Sequence, residues 1–398
     1  MFRYIIYFVL FFFLFYAEGI KVGGMTVSQL WKMPLIVVMV FLIVRKRRHH
    51  RPLFISLYYW IAIKNLFNAG TIKTFVSNIQ EGLRFVFIPL IYDSFNLSNK
   101  SVESLYKFLL VVAQYFVLTN IPFIFFGLPS LHEGKEYGDF IAYTGIFQTQ
   151  HAMSVIMSLC ILVILQYFKR EGFSIYRFSS LYNGILLVLA VYAMLLGYAR
   201  TGWLMCLVGI MILFVPKKIS GKQILVFTLV LMVLVAGIAY LMENNQKFHD
   251  RILGIDAVTG VQRDVDSGRS EYIKHGLDYY MQGSALELLF GRSMVGLRNY
   301  EEAMTTMNIA THNGFSNMIV VNGIVGLILM IWCMFAMLIW IRHRKYCYSG
   351  RLALAAWFMN FSFQMTQGGH IFHADLFYAL IFVILERERR LLARGTNL

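Results

Sequence analysis

Charge is scarce in this chain. Only 14% of its 398 residues are Asp, Glu, Lys or Arg, against about 25% in an average soluble domain. That excludes an ordinary cytosolic enzyme and a charge-rich disordered protein. Proline is scarcer, with 6 residues, so the long apolar runs are hardly broken. Cysteine numbers 4: Cys160, Cys206 and Cys333 lie inside apolar runs and Cys347 lies in a basic loop. No pair has a metal-like spacing, so neither a disulfide framework nor a zinc site is expected. Apolar residues make up 58%, with 35 Phe and 23 Tyr, and mean hydropathy is +0.62. These figures indicate an all-α polytopic membrane protein, and roughly a dozen spans of about 20 residues plus loops would use the chain up.

The candidate spans are 4–22, 31–44, 52–68, 72–92, 105–126, 151–168, 180–198, 201–215, 223–241, 313–341, 352–367 and 371–385. The first apolar run, Tyr4 to Tyr16, has the look of a signal peptide. It lacks a good small-residue cleavage site and another span follows soon after, so it reads as a retained first helix. Net charge is +15. In a soluble protein that would raise nucleic acid as a partner; here the basic residues sit in short runs between apolar segments, so the partners expected are membrane lipids and no nucleic acid. The runs follow spans 2, 6, 8, 10 and 12: Arg45 to Arg51, Lys169 to Arg177, Lys217 to Lys222, Arg342 to Arg351 and Arg387 to Arg394. An even number of spans separates each from the next, so all fall on one face. The positive-inside rule makes that face cytoplasmic, with both termini inside.

The opposite loops are then external, periplasmic in a Gram-negative cell. Most are short. Residues 242–311 form one of about 70 residues with charges of both signs, and loops this long in a compact protein are usually functional. Its stretch Ser270 to Met281 is amphipathic, with Ser267 and Ser270 as candidate N-caps, so a small helical cap is expected on the outer face. No second soluble domain is evident, and residues 1–398 read as a single integral membrane domain.

A few polar residues stand out against this background. Arg200, in Gly197-Tyr-Ala-Arg-Thr-Gly-Trp203, sits at the outer end of span 7, where a positive charge works against the topology. It is either an anion clamp for a phosphate or diphosphate or an arginine snorkelling at a helix end. His312, in Ala310-Thr-His-Asn-Gly-Phe315, falls where the polar loop meets span 10. A helix N-terminus disfavours imidazolium, so a neutral base for a sugar hydroxyl and a simple capping histidine are both open. Arg269, in the long loop, is a second anion contact or a solvated arginine. Asp264 and Asp266 invite a divalent cation, although aspartates are common in exposed loops, and no metal site is assigned. Glu81 and Arg84 are spaced i, i+3 inside span 4 and can pair, for function or for structure. His370, His373 and Asp375 cluster near the last outer loop and read as structural. Gly323 and Gly326 suit close helix packing.

At span 10 the chain reads His312-Asn313, nine residues, Gly323, two residues, Gly326. This resembles the His-Asn-x9-Gly-x2-Gly signature of bacterial O-antigen ligases. Ala199-Arg200-Thr-Gly-Trp203 is similar to that family's Ser-Arg-x-Gly segment, with Ala199 in place of the serine. Ser267-Gly-Arg269 resembles the Ser-Gly-Arg that opens its large periplasmic loop, Leu289-Phe-Gly291 a later Leu-Phe-Gly element, and Tyr143-Thr-Gly-Ile-Phe147 another recurring segment. The resemblance covers about 140 to 390 well; spans 1–5 match only in hydropathy. It implies the O-antigen ligase/polymerase superfamily, about 12 transmembrane helices and a glycosyltransferase C-type fold. It implies transfer of a glycan from undecaprenyl diphosphate at the periplasmic face of the inner membrane. A ligase moves it to a sugar of the lipid A-core, and a polymerase, for O-antigen or capsule, moves it to a lipid-linked glycan. The reaction would be metal-independent and inverting, with no cofactor. Carried over, Arg200 and Arg269 would hold the leaving diphosphate, His312 would activate the acceptor hydroxyl, and Asn313, Thr201 and Gly268 would bind substrate. A rival from another class is a lipid-linked oligosaccharide flippase; transporters, however, usually keep external loops short and place charges near the bilayer midplane.

Overall fold

The computed structural model of the chain describes residues 51–66, 85–96, 101–126, 144–147, 149–197, 199–214, 269–292, 314–344, 346–366 and 372–394, together with two short strand pairs and a few isolated positions. The pairs are two-residue antiparallel ladders, Lys21–Val22 (β1) on Met25–Thr26 (β2) and Glu136–Tyr137 (β3) on Phe140–Ile141 (β4). Everything else of regular structure among the described residues is helical. The helices are α1 (Leu53–Leu66), α2 (Phe85–Asn96), α3 (Val102–Phe125), α4 (Gln150–Glu171), α5 (Phe178–Leu196) and α6 (Arg200–Phe214). They continue with α7 (Arg269–Met281), α8 (Ala285–Phe290), α9 (Gly314–Arg342), α10 (Gly350–Thr366) and α11 (Phe372–Ala393). The chain is a helical membrane protein: α3, α4, α5 and α9 are long and apolar enough to cross a bilayer, and α1, α2 and α6 are apolar but shorter. Expected spans 1, 2 and 9 lie largely outside the described residues.

Local chemistry sets the helix ends. Ser101 caps α3 by accepting from the Ser104 N–H at 3.1 Å, and Thr149 caps α4 by accepting from the Ala152 N–H at 3.1 Å. Gly172 ends α4 at φ 74°, where a side chain would be strained. Burial then sorts the helices. In α4, 78% of the most apolar window is buried, against 33% in α5. So α4 is the central post, packed by α3, α5 and α6, while α5 turns Leu181, Ile185 and Val188 outward, a face suited to lipid.

Two glycines bring α6 onto α4. A Cβ on Gly202 would lie 2.3 Å from the Ser154 Cβ, and one on Gly209 would lie 2.8 Å from a Leu162 methyl. Between them the Ser158 hydroxyl donates to the Gly202 carbonyl at 3.0 Å. These contacts run in the same order along both helices, so α6 is parallel to α4. The Lys169 ammonium, near the end of α4, donates to the Leu213 carbonyl near the end of α6. Helix α10 runs the other way, with Met359 beside Gly209.

One end of the bundle gathers the basic residues. The Arg344 guanidinium reaches Glu386 at 2.7 Å, and Arg389 and Arg390 meet the same carboxylate. Glu388 accepts from Tyr106 at 3.0 Å and from the Ser349 N–H at 2.9 Å. Arg51 pairs with Asp93 at 2.8 Å, Arg170 pairs with Glu103, and Arg387 donates to the Asn96 carbonyl that ends α2. The basic runs within the described residues thus fall together, as their alternation along the sequence requires. The last span is longer than its apolar stretch: α11 continues from 385 to Ala393, because Glu386 and Glu388 pair with neighbouring helices and support the extra turns.

Candidate functional site at the far end

Arg200 and Thr201 lie at the end opposite the basic cluster. Arg200 is the first residue of α6, and Thr201 is the second. The turn that presents them is seated on α4: a Cβ on Gly197 would lie 2.7 Å from the Ser154 hydroxyl, and the Trp203 indole donates to the Met194 carbonyl at 3.2 Å. Ala199 is fully buried, and its carbonyl accepts from the Gly202 N–H at 2.9 Å, so it stands at the N-cap of α6. Alanine offers no side-chain oxygen there, whereas a serine would. The Arg200 side chain is exposed, in keeping with a cation presented at a surface.

Helix α9 begins at Gly314, so His312 and Asn313 directly precede it; they lie outside the described residues. Gly314 itself is tightly seated, since a Cβ on it would lie 2.4 Å from the Gln364 side-chain oxygen and 2.7 Å from its carbonyl. The start of α9 is therefore pressed onto the last turns of α10. The same end of α10 lies on the Arg200 side of α6, because α10 is antiparallel to α6 and Arg200 is nine residues before Gly209. The structure thus puts Arg200 and Gly314 toward the same end of α10.

The long helix is not straight. Gly323 takes φ 68°, ψ −175°, a conformation essentially restricted to glycine. Along an unbroken helix, residues 315 and 334 would be about 28 Å apart. Here Phe315 packs on Phe361 with ring centroids 6.1 Å apart, and the Met334 carbonyl accepts from Trp357 at 3.0 Å. Trp357 and Phe361 are one turn apart, so the kink folds the first half of α9 back over α10.

A second element fills the elbow. Gly291, at φ 90°, ends α8, and a Cβ on it would lie 2.2 Å from the Val321 carbonyl; one on Gly323 would lie 2.4 Å from the Leu289 carbonyl. The Arg292 N–H donates to the Val320 carbonyl at 2.8 Å, which the kink has freed. The Leu289-Phe-Gly291 and Gly323-x2-Gly326 segments are thereby the two faces of one backbone-to-backbone joint. Gly326 belongs to it as well: a Cβ there would strike the Asn322 Cβ at 2.2 Å. Lys64, buried at the end of α1, donates to the Phe290 carbonyl and ties the joint to the bundle. Sequence reasoning passes over Lys64; its one signal is a lone cation inside an apolar run.

Helices α7 and α8 lie within residues 242–311, with α7 over the amphipathic stretch expected to be helical. A capping box opens α8: the Glu287 carboxylate accepts from the Ser284 N–H at 2.8 Å, and the Ser284 hydroxyl accepts from the Glu287 N–H. The first of these bonds holds the Glu287 carboxyl below its usual pKa. Helix α7 docks through Tyr279 and Tyr280 against Val320. Arg269 opens α7, at the opposite end of that helix from these tyrosines. Gly268, Asp264, Asp266, Glu81, Arg84 and His370 lie outside the described residues, and of His373 only its place in α11 is described. Asp375 is buried in the first turn of α11.

Residues 185–331 match a family model described as O-antigen ligase. Through this stretch the chain is similar to the O-antigen ligase family, which supports a place in the O-antigen ligase/polymerase superfamily. The match runs from within α5 to beyond the kink in α9 and includes Arg200, Thr201, Gly268, Arg269, His312 and Asn313, as well as the glycine joint. The match supports a glycosyltransferase-like activity of the ligase or polymerase kind. No curated protein matches the chain significantly.

Proposed function

We propose that this protein transfers a glycan from undecaprenyl diphosphate to a sugar hydroxyl at the far end of the bundle, with the lipid A-core as the favoured acceptor. The observation that supports the reading is that Arg200 and Gly314, the residue after Asn313, both lie toward one end of α10, opposite the basic cluster. His312 takes the proton from the acceptor hydroxyl. The freed oxygen attacks the anomeric carbon from the face opposite the diphosphate, the anomeric C–O bond breaks, and undecaprenyl diphosphate leaves with that electron pair. Attack from the opposite face inverts the anomeric centre. Arg200 and Arg269 offset the charge on the departing diphosphate, a role two arginines fill without a metal. Asn313 orients the acceptor, Thr201 and Gly268 line the donor side, and the α7–α8 cap keeps water from the donor.

The same reading assigns twelve spans in a C-type glycosyltransferase fold and an inner-membrane location. Both termini are cytoplasmic, with the basic end in the cytoplasm and the far end in the periplasm. The positive-inside rule and the gathering of the basic residues support it. The four native cysteines are buried, so single cysteines at the exposed Tyr346 and Leu286 test it directly. Tyr346→Cys should be labelled only from the cytoplasm and Leu286→Cys only from the periplasm; labelling of both from one side contradicts it.

A lipopolysaccharide gel from a deletion strain tests the activity. Loss of all O-antigen from the core, with long chains retained on the carrier lipid, establishes the ligase. A core bearing one repeat and no ladder establishes the polymerase of the same superfamily. An unchanged ladder contradicts both for this polymer. Activity should survive EDTA; a chelator-sensitive, cation-rescued enzyme would return Asp264 and Asp266 to the mechanism.

A further inference from the structure

A cavity of about 290 Å³ opens between α3, α4 and the start of α10. It lies at the basic end, away from the proposed transfer site. Gln166 lines it and is only 2% exposed, yet neither its amide nitrogen nor its amide oxygen has a hydrogen-bond partner. Buried polar groups are almost always paired, and an amide left wholly unpaired inside a cavity of this size points to an occupant. The rim carries Lys107, Arg170, Glu103 and Glu171, two charges of each sign. The Arg170 guanidinium pairs with Glu103 and lies 4.6 Å from the centre of the Tyr106 ring.

The mouth adjoins a lipid-facing surface. Lys107, Val111 and Leu118 are exposed along one side of α3, at spacings that share a helix face. A charged ring at the helix ends above an apolar stripe is the profile of a bilayer interface, with room for a headgroup in the cavity and for acyl chains along Val111 and Leu118.

We propose that this cavity binds the headgroup of a phospholipid carrying both a phosphate and a primary ammonium, as in phosphatidylethanolamine. The balanced rim disfavours a purely anionic headgroup, which would face two carboxylates. The Gln166 oxygen needs a donor, and a primary ammonium supplies three N–H bonds where a trimethylammonium supplies none. The Gln166 N–H₂ group donates to a phosphate oxygen, and Glu103 and Glu171 receive the remaining ammonium charge.

The test is lipid binding to the delipidated full-length protein, by native mass spectrometry and thermal melting. The probes are phosphatidylethanolamine, phosphatidylcholine, phosphatidylglycerol and water-soluble glycerophosphoethanolamine. The ethanolamine lipid should bind roughly tenfold tighter than either other lipid, the difference one charge-assisted hydrogen bond can make. Gln166→Leu keeps the volume and removes the unpaired amide, so it should fold, retain glycan transfer and lose that preference. Glu103→Gln, at a half-exposed position, should shift preference toward the anionic lipid and serves if Gln166→Leu fails to express. Equal binding of the ethanolamine and choline lipids overturns the proposal, as does a preference that survives Gln166→Leu. Stabilisation by glycerophosphoethanolamine equal to that by the whole lipid also overturns it, because the ligand would then be a soluble one.

Discussion

The two ends of the bundle are held by different physics. At the basic end, charges tie helix to helix: Glu386 collects Arg344, Arg389 and Arg390, Glu388 collects Tyr106 and Ser349, and Asp93 holds Arg51. The arginines there are largely occupied by carboxylates of the same chain. At the far end, the closest contacts are backbone against glycine, at Gly291, Gly323 and Gly314. Those contacts carry no charge, and they fix the kink of α9 and the seat of its first residue on α10, as Gly197 and Gly202 fix the start of α6 on α4. The comparison separates the arginines that tie helices together at the basic end from Arg200, whose proposed part is in transfer.

Mutations at the two ends should therefore fail in different ways. Apart from His312, the largest effect is expected at Arg200. Arg200→Ala should lower transfer by about a thousandfold, roughly 4 kcal/mol of transition-state stabilisation, with membrane insertion and melting unchanged. Arg200→Lys should recover only part, because an ammonium lacks the bidentate fork. Purified-enzyme transfer rates at equal protein levels check both. Next is Gly323→Ala, which combines a left-handed φ with a collision against the Leu289 carbonyl and should cost about 3 kcal/mol. It should reduce both melting temperature and transfer, since the same joint holds the cap. Glu386→Ala should cost about 2 kcal/mol, below the range for a fully buried pair because Arg389 and Arg390 reach solvent. It should lower melting temperature and leave transfer by the surviving folded protein unchanged.

The smallest effect is at the cap. Ser284→Ala should cost about 1 kcal/mol locally, seen as faster hydrogen exchange in α8. The Glu287 half of that box has a sign in pH. Its folded pKa is depressed, so its contribution is present above the unfolded pKa and is lost as pH falls through the folded one. The protection factor of α8 should thus be flat near neutrality and fall in acid, and Glu287→Gln should remove the acid-dependent part.

Much of this arrangement is written locally. Apolar runs and basic clusters set the helices and the end on which each run falls, because span length and charge alternation are short-range properties. The amphipathic stretch after Arg269 likewise reads as a helix from its own spacing. The kink does not. Gly323 and Gly326 read as small residues for helix packing, and the feature that bends α9 is Leu289-Phe-Gly291, supplied from another part of the chain. The continuation of α11 past 385 is hidden for the same reason: Glu386 and Glu388 look like the end of a span until Arg344, Tyr106 and Ser349 are beside them. At the site, the motif selects Arg200, and Gly197 and Gly202 explain its placement only once Ser154 of α4 is opposite them.

The central claim is that glycan transfer takes place at the far end through His312. Its most direct test is the transfer rate of purified wild-type protein and His312→Ala, with lipid-linked glycan donor and core acceptor in excess. The account predicts that His312→Ala melts like wild type and transfers at least a thousandfold more slowly. A His312→Ala enzyme within a few-fold of the wild-type rate would contradict it.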